Sequence, residues 1–353
     1  MSAPAPPTLD FGRRVGVLRR GRYSGRFAWR PVLVGTAIWA VVVLVAVIAL
    51  GLGDLPLSPG EVLSALLGQQ SGLVQTVVFE WRLPRVLGAV LFGAALGVSG
   101  GIFQSLTRNP LASPDIIGFS AGSYAGGVLV IIAFGGGFLA IAGGALIGGL
   151  VSAAAVYLLA YRRGMQGFRL ILVGIGVSAM LTSFSSFLVL RAKLDVAITA
   201  ATWGAGSLSP VGWPQVVTAA VVILLVLVLV GALAPALHQL ELGDDAALAL
   251  GTRVEPVRLA LVFAGVALTA VVTAAAGPIA FVALAAPQIA RRLTRTAGVG
   301  MAASAGLGAL LLAVSDIVAQ HLLPQDIPVG LVTVVIGGGY LVWLLIHEAR
   351  RRL

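Results

Sequence analysis

Long apolar segments recur from one end of this chain to the other, and they limit its fold more than any other feature. A helix needs about 20 apolar residues to cross a hydrocarbon core of roughly 30 Å. Ten segments of the 353-residue chain reach or approach that length. The predicted spans are 31–51, 83–106, 114–134, 138–161, 169–190, 214–234, 257–276, 279–293, 302–320 and 329–347. The sequence therefore predicts an all-α integral membrane protein with about ten transmembrane helices.

Composition agrees with a membrane protein and excludes several kinds of chemistry. Hydrophobic residues make up 59% of the chain and charged residues only 10%, whereas a soluble domain carries roughly 25% charged residues. The chain has no cysteine, which excludes a disulfide scaffold, a thiolate metal site and a cysteine nucleophile. Its single lysine, Lys193, follows an alanine, so no Gly-Lys-Ser/Thr phosphate-binding loop is present. If the protein uses ATP, another subunit hydrolyses it.

Basic residues predict the orientation of the spans. With ten spans, nineteen of the 23 Arg and Lys residues lie on one side of the membrane. The other four are Arg82, Arg85, Arg191 and Lys193. The positive-inside rule therefore places both termini in the cytoplasm. We expect residues 1–30 to form a basic cytoplasmic tail, partly disordered, and residues 31–353 to form a single transmembrane domain.

Residues 58–68 are too short to span and are predicted to form an extracytoplasmic helix on the membrane surface. Ser58 stands at the N-cap position, Pro59 follows in the first turn, and Glu61 comes three residues after the cap. This is the pattern of a capping box.

Residues 238–256 form a cytoplasmic loop that also has capping signals. Asp244 is a candidate cap for one short helix, which Gly251 would end. Thr252 is a candidate cap for a second helix, with Glu255 at its third position. Because short capped helices have no spanning role, the loop predicts a contact for a cytoplasmic partner.

Glycines recur at four-residue spacing, a pattern that favours close packing of membrane helices. Two pairs have this spacing, Gly93 with Gly97 and Gly144 with Gly148, and one triplet has it, formed by Gly118, Gly122 and Gly126. The segment GFSAG also matches a serine nucleophile motif around Ser120, but an intramembrane protease needs a histidine at membrane depth. The three histidines lie at predicted span ends without metal-ligand spacing. We therefore favour packing and predict no catalytic residue and no metal site.

Carboxylates inside the membrane would indicate an ion-coupled carrier. Asp115 and Asp316 come closest, and both lie near predicted span ends. Asp115 follows Pro114, so we expect it at the start of a helix. Asp316 lies one turn before Gln320 and is a candidate buried hydrogen-bonding residue. This placement disfavours ion-driven transport.

Arg82 and Arg85 are the most distinctive charges on the extracytoplasmic side. One interpretation is that they extend to the interface beside Trp81. The alternative is a docking patch for an acidic partner outside the cell, because arginine forms two-pronged pairs with carboxylates.

Five colinear strings cover nearly everything after residue 30 and resemble the iron-siderophore and cobalamin permease family of ABC importers. They are WRLPRVLGAVLFGAALGVSGGIFQSLTRNPLASPDIIGFSAG (81–122), FRLILVGIGVSAM (168–180), LGDDAALALG (242–251), AGPIAFVALAAPQIARRL (276–293) and DIPVGLVTVVIGGGYLVWLL (326–345). Within the family, the first three look most similar to permeases for ferric enterobactin, a catecholate siderophore.

The resemblance implies a type II ABC importer permease architecture with ten spans. It also implies that this chain forms a heterodimer with a second permease subunit. Two ATPase subunits would bind on the cytoplasmic side, and an extracytoplasmic siderophore-binding protein would dock on the other side. No cofactor is expected in this chain, since ATP and Mg belong to the partner ATPase.

The resemblance also assigns site residues. The docking arginines fall on Arg82 and Arg85, while the family's third docking arginine is replaced by Gln320. The cytoplasmic gate of the cobalamin member falls on Asn109, Pro110 and Leu111, and on Gly167 and Phe168, which depart from its small hydroxylated residues. The ATPase coupling loop falls on 238–256, with Leu242, Gly243, Asp244, Asp245, Ala247, Leu250, Gly251 and Arg253.

Together these features predict a permease subunit that carries a ferric siderophore across the cytoplasmic membrane of a bacterium by alternating access. It would carry out no chemical reaction itself. Heme or cobalamin is the alternative substrate within the family. An ion-coupled secondary transporter and an intramembrane protease are the alternatives outside it.

Overall fold

The computed structural model describes residues 15–20, 23–115, 117–161, 167–323 and 327–352. Residues 1–14 of the tail predicted for residues 1–30, and Arg162 and Arg163, lie outside these residues. Strands β1 (Val15–Arg20) and β2 (Tyr23–Ala28) form an antiparallel hairpin just before the first span, which the sequence did not predict.

Helices make up nearly all of the rest. They are α1 (Trp29–Gly51), α2 (Pro59–Leu66), α3 (Leu73–Thr76), α4 (Leu83–Thr107), α5 (Phe119–Phe134), α6 (Phe138–Ala160), α7 (Gly167–Arg191), α8 (Leu194–Gly204), α9 (Trp213–Glu241), α10 (Asp244–Ala249), α11 (Val254–Ala276), α12 (Val282–Thr294), α13 (Met301–Ile317) and α14 (Val329–Arg352). Two π-helical turns, π1 (Val77–Arg82) and π2 (Val318–Leu322), precede α4 and continue α13.

The predicted all-α membrane fold is confirmed, and each of the ten predicted spans coincides with one helix. Within the described residues, seven helices are long and apolar enough to cross a membrane. The apolar helices Phe119–Phe134 and Val329–Leu344 are shorter. The eighth span is short, as predicted, because Gly277 and Phe281 adopt positive φ angles and delay the start of α12 to Val282.

Helices α4, α11 and α13 form the centre of the bundle, with α12, α9 and α6 packed around them. The glycine spacing serves packing, as predicted. Gly93 and Gly97 of α4 lie directly against backbone atoms of Gly308 and Ser304 in α13. Gly122 and Gly126 of α5 meet Gly148 and Gly144 of α6 in the same way. Backbones this close leave no room for a side chain, so these pairs fix the helix contacts.

Helix α2 begins with the predicted capping box. Glu61 accepts hydrogen bonds from the backbone N and the Oγ of Ser58, both at 2.8 Å, and its own N–H donates to Ser58 Oγ at 3.3 Å. These bonds lower the pKa of Glu61. The two bonds to the Glu61 carboxylate are therefore intact at neutral pH and weaken when acidification protonates it, while the bond from the Glu61 N–H to Ser58 Oγ does not depend on that charge.

The cytoplasmic loop differs from its prediction. Gly243, with φ of 114°, is the N-cap of α10, and Asp244 is the first helical residue with no capping hydrogen bond. The second short helix does not exist separately, because α11 begins at Val254 and continues as a span. Thr252 donates its hydroxyl to Gln239 of α9 and therefore does not cap a helix. Helix α8 is a further short helix that the sequence did not predict, and it packs against α5, where Trp203 lies over Gly127.

Candidate functional site

A cavity of about 330 Å³ opens at the outer end of the bundle. Its wall comes from the end of α1, the turn π1, the start of α4, and the junction of α13 with π2. Its charged and polar lining residues are Asp54, Arg82, Arg85, Asp316, Gln320 and His321. The fold thus gathers both predicted docking arginines in one depression, at the end of the bundle that the basic residues predict to be extracytoplasmic.

Arg85 forms a two-pronged ion pair with Asp316 across the α4–α13 contact. Its Nη2 lies 2.9 Å from Asp316 Oδ1, and its Nε lies 3.0 Å from Oδ2. Gln320 donates to Asp316 Oδ2 at 2.6 Å. The Asp316 side chain is only 7% exposed. The prediction that Asp316 is a buried hydrogen-bonding residue is confirmed, whereas its pairing with Arg85 was not foreseen.

Arg82 holds the loop that follows α1. Its Nη1 donates to the carbonyl oxygen of Leu50 at 2.9 Å, and its Nη2 donates to that of Leu55 at 2.7 Å. Gly53 passes so close that a Cβ atom there would meet Nη2 at 2.6 Å. Both arginines therefore have partners inside the chain. Each guanidinium keeps further N–H donors for an incoming carboxylate, so the docking role stays a prediction.

The cytoplasmic end carries a second polar cavity, of about 270 Å³. It lies between the ends of α4 and α9 and the connection from α12 to α13. Its polar lining residues are Gln104, Ser105, Arg108, Asn109, Glu241 and Arg291. The predicted gate residue Asn109 therefore lines the same cavity as Glu241, the last residue of α9, which lies within the predicted coupling loop 238–256.

The gate segment after α4 is a tight turn. The Asn109 side-chain oxygen accepts from the N–H of Leu111 at 2.9 Å. The carbonyl oxygen of Pro110 accepts from Gln288 of α12 at 3.1 Å. Phe168, in the first turn of α7, is 79% exposed. A side chain this exposed is available to a neighbouring subunit, but the gate role of Gly167 and Phe168 stays a prediction.

Helix α10 presents an apolar surface at the cytoplasmic end. Leu242, Leu248 and Leu250 are 68%, 58% and 58% exposed, while Ala247 is fully buried beneath them. Asp245 and Arg253 are exposed beside them. Apolar side chains clustered on a polar end of a membrane protein mark a surface for another protein. This geometry agrees with a coupling role for 238–256, which stays a prediction.

Ser120 takes part in a structural contact at the start of α5. Its Oγ donates to Asp115 Oδ1 at 2.6 Å. Gly118 is the N-cap of α5 and no side chain caps it, so the expected helix-start role of Asp115 is replaced by this contact with the first turn. Among the described hydrogen bonds, the partner of Ser120 is a carboxylate, whereas the serine of a Ser-His-Asp triad is paired with an imidazole.

Comparison with known proteins identifies close relatives over most of the chain. The FecCD transport family model matches residues 41–347. The ferric enterobactin transport system permease protein FepG of Escherichia coli is 49% identical over 85% of this chain and 91% of its own. The iron(3+)-hydroxamate import system permease protein FhuG of Bacillus subtilis is 38% identical over 90% and 97%.

A solved structure agrees with the fold. It is described as a metal-chelate type ABC transporter in an inward-facing conformation. It superposes with a TM-score of 0.78 at 29% identity and covers 90% of this chain and 99% of its own. The β1–β2 hairpin lies before the residues that the family model matches.

Proposed function

This chain belongs to the FecCD transport family, and we propose that it is the membrane permease subunit of a bacterial ABC importer for a ferric siderophore. The observation that carries the proposal is α10. It is a short helix that carries and is flanked by exposed leucines, and its Asp244 pairs with Arg108, directly before the segment 109–111. A helix in that position can receive an ATPase and pass its movement to the end of α4.

The proposed substrate is a catecholate complex of the enterobactin type. The 49% identity to the ferric enterobactin permease over most of both chains supports it. The 38% identity to a hydroxamate permease makes another ferric siderophore the second candidate. Heme and cobalamin are the remaining alternatives within the family.

Polar side chains on an exposed helix face support a pathway beside α7. Thr182, Ser183 and Ser186 are exposed in the outer half of this span. Hydroxyl groups gain nothing from facing lipid tails, so they fit a polar pathway or a subunit interface. We propose that this face meets a second permease subunit in a heterodimer and lines the path of the substrate.

The proposed complex also contains ATPase subunits and a siderophore-binding protein. With no phosphate-binding loop in its sequence, it would depend on two partner ATPases that bind ATP and Mg. The chain itself would carry no cofactor and catalyse no reaction. A siderophore-binding protein would dock on the outer cavity, and the complex would reside in the cytoplasmic membrane.

Uptake by the reconstituted complex tests this function. We expect vesicles that contain both permeases and the ATPases to accumulate iron-55 ferric enterobactin when ATP and the binding protein are supplied, without any ion gradient. Ferric hydroxamate, heme and cobalamin supplied in parallel identify the substrate class. Uptake that requires a proton or sodium gradient instead of ATP would contradict the proposal.

Replacing Arg82 by glutamate tests the docking surface. The change puts a negative charge into the outer cavity, so we expect weaker and less salt-sensitive binding of the loaded siderophore-binding protein. Rim charges act mainly on association and orientation, with exposed pairs worth about 0–1 kcal/mol. Binding measured by surface plasmon resonance at several salt concentrations checks this.

The matched control is Lys193→Glu, which makes the same charge change at an exposed position on the same side. Equal losses in both variants would mean that only overall charge matters. Unchanged binding in Arg82→Glu would mean that Arg82 serves the α1 loop alone.

A further inference from the structure

Two carboxylates flank the start of α10, and both contact the cytoplasmic end of α4. Glu241 ends α9, and its Oε1 accepts from Ser105 Oγ of α4 at 2.7 Å. The same oxygen accepts from the N–H of Val299, in the connection from α12 to α13, at 3.3 Å. Glu241 thus joins three segments at the base of the bundle.

Asp244, the first residue of α10, makes the second set of contacts. Its Oδ1 lies 2.7 Å from Arg258 Nη2 and 3.4 Å from Arg108 Nη2. Arg258 also pairs with Glu255 at 2.9 Å, and its side chain is only 4% exposed. The buried guanidinium of Arg258 is held between these two carboxylates, because a buried charge is costly unless it is paired.

The contacts continue from α4 into the gate segment. Gln104, beside Ser105, accepts from Gln288 Nε2 at 2.6 Å and donates to the carbonyl oxygen of Leu284 at 3.0 Å. Gln288 also donates to the carbonyl oxygen of Pro110 at 3.1 Å. Both glutamine side chains are buried. Two sets of side-chain contacts therefore meet at the last turn of α4, where Glu241 holds Ser105 and the neighbouring Gln104 is linked through Gln288 to the turn at 109–111.

We propose that Glu241, which fastens the end of α9 to α4, and Arg258, which fastens Asp244 of α10 to α11, are positioning residues. Together they hold α10 in place beside the end of α4, so that α10 and the turn 109–111 move as one body. This inference rests on the proposed function, in which an ATPase displaces α10. Neither residue touches the transported substrate. Their role is to prevent α10 from moving on its own, which would consume ATP without opening the gate.

Coupling between ATP use and transport tests the proposal. We compare Ser105→Ala, which removes the hydroxyl that Glu241 holds, and Arg258→Gln, which removes the guanidinium, in the reconstituted complex. Basal ATP hydrolysis should stay within about twofold, while siderophore transported per ATP should fall by at least about fivefold, the lower end of usual coupling energies. Ser105→Thr keeps a hydroxyl and should restore the wild-type ratio.

The matched control is Arg295→Gln, which removes an exposed arginine at the same end of the bundle, with no ion pair among the described residues. It should leave the transport ratio unchanged. If Arg258→Gln fails to assemble, Ser105→Ala alone decides, since it removes a single oxygen atom. Full transport per ATP in an assembled Ser105→Ala complex would overturn the proposal.

A distance measurement tests the shared movement directly. The chain has no cysteine, so Leu248→Cys in α10 and Leu111→Cys can be spin-labelled selectively in a complex whose other subunits also lack cysteine. We expect the same distance between the labels with and without ATP in the parent chain, and a changed or broader distribution after adding Arg258→Gln. A parent distance that changes with ATP would contradict the proposal.

Different results would contradict the proposed function and the proposed roles of Glu241 and Arg258. A parent complex that does not transport a ferric siderophore with ATP contradicts the proposed function. A parent complex that transports normally, with variants that keep its coupling ratio and label distances, contradicts only the roles of Glu241 and Arg258.

Discussion

Replacing Gly100 by alanine will sharply reduce the amount of folded permease in the membrane. A Cβ atom at Gly100 of α4 would overlap the backbone carbonyl of Ala283 in α12. Backbone atoms cannot turn away as a side chain can, so α4 and α12 would have to separate. Overpacking usually costs 1–3 kcal/mol, and we expect a loss of about 3 kcal/mol in the free energy of unfolding. Folded yield and thermal unfolding in detergent check this.

Gly143→Ala is the matched control. Gly143 lies within α6, and no atom lies within 4 Å of a Cβ added there. The same methyl group should therefore be harmless, and it removes the flexibility of a helical glycine. Similar unfolding temperatures for the two variants would show that α4 and α12 tolerate a wider separation than this structure has.

Replacing Arg85 by glutamate will destabilise the outer end of the bundle. The variant leaves the nearly buried Asp316 without its partner and puts a second carboxylate against it. Breaking a buried pair in this way usually costs about 3–5 kcal/mol. We expect low folded yield and loss of transport. The reversed pair, Arg85→Asp with Asp316→Arg, should recover part of the stability that the single change removes.

The reversed pair also separates two roles for Arg85. If stability returns and the binding protein still fails to dock, Arg85 contacts that protein as well as Asp316. If stability and docking both return, its role is to join α4 to α13. A single Arg85→Glu variant that folds normally would contradict the structural role.

The span pattern and the capping chemistry were predictable because both depend on neighbouring residues. Apolar runs of membrane length gave the ten helices, and basic residues at their ends gave the predicted orientation. Ser58 and Glu61 lie three residues apart, so the box at the start of α2 could be read directly. The prediction that Asp244 caps a helix was wrong, because Gly243, with its positive φ angle, occupies the N-cap position of α10 instead.

Glycine spacing predicted that helices pack closely, whereas the structure was needed to identify the partners. Gly97 could have met any neighbouring helix, and it meets Ser304 of α13 because the bundle brings α4 and α13 together in opposite directions. The spacing alone does not identify such contacts, since many helices of this chain present small residues.

The sequence by itself determined the membrane class, the positions of the apolar helices and the capping box of α2, because hydropathy and hydrogen bonding within a turn act over a few residues. Only the tertiary structure decided what the charged side chains do. Arg85 and Asp316 stand 231 residues apart, and Glu241 and Ser105 stand 136 apart. A charged side chain in a low-dielectric interior is costly unless a residue of opposite charge packs next to it. Which residue becomes that partner depends on how the helices pack, and a local sequence pattern does not contain this information.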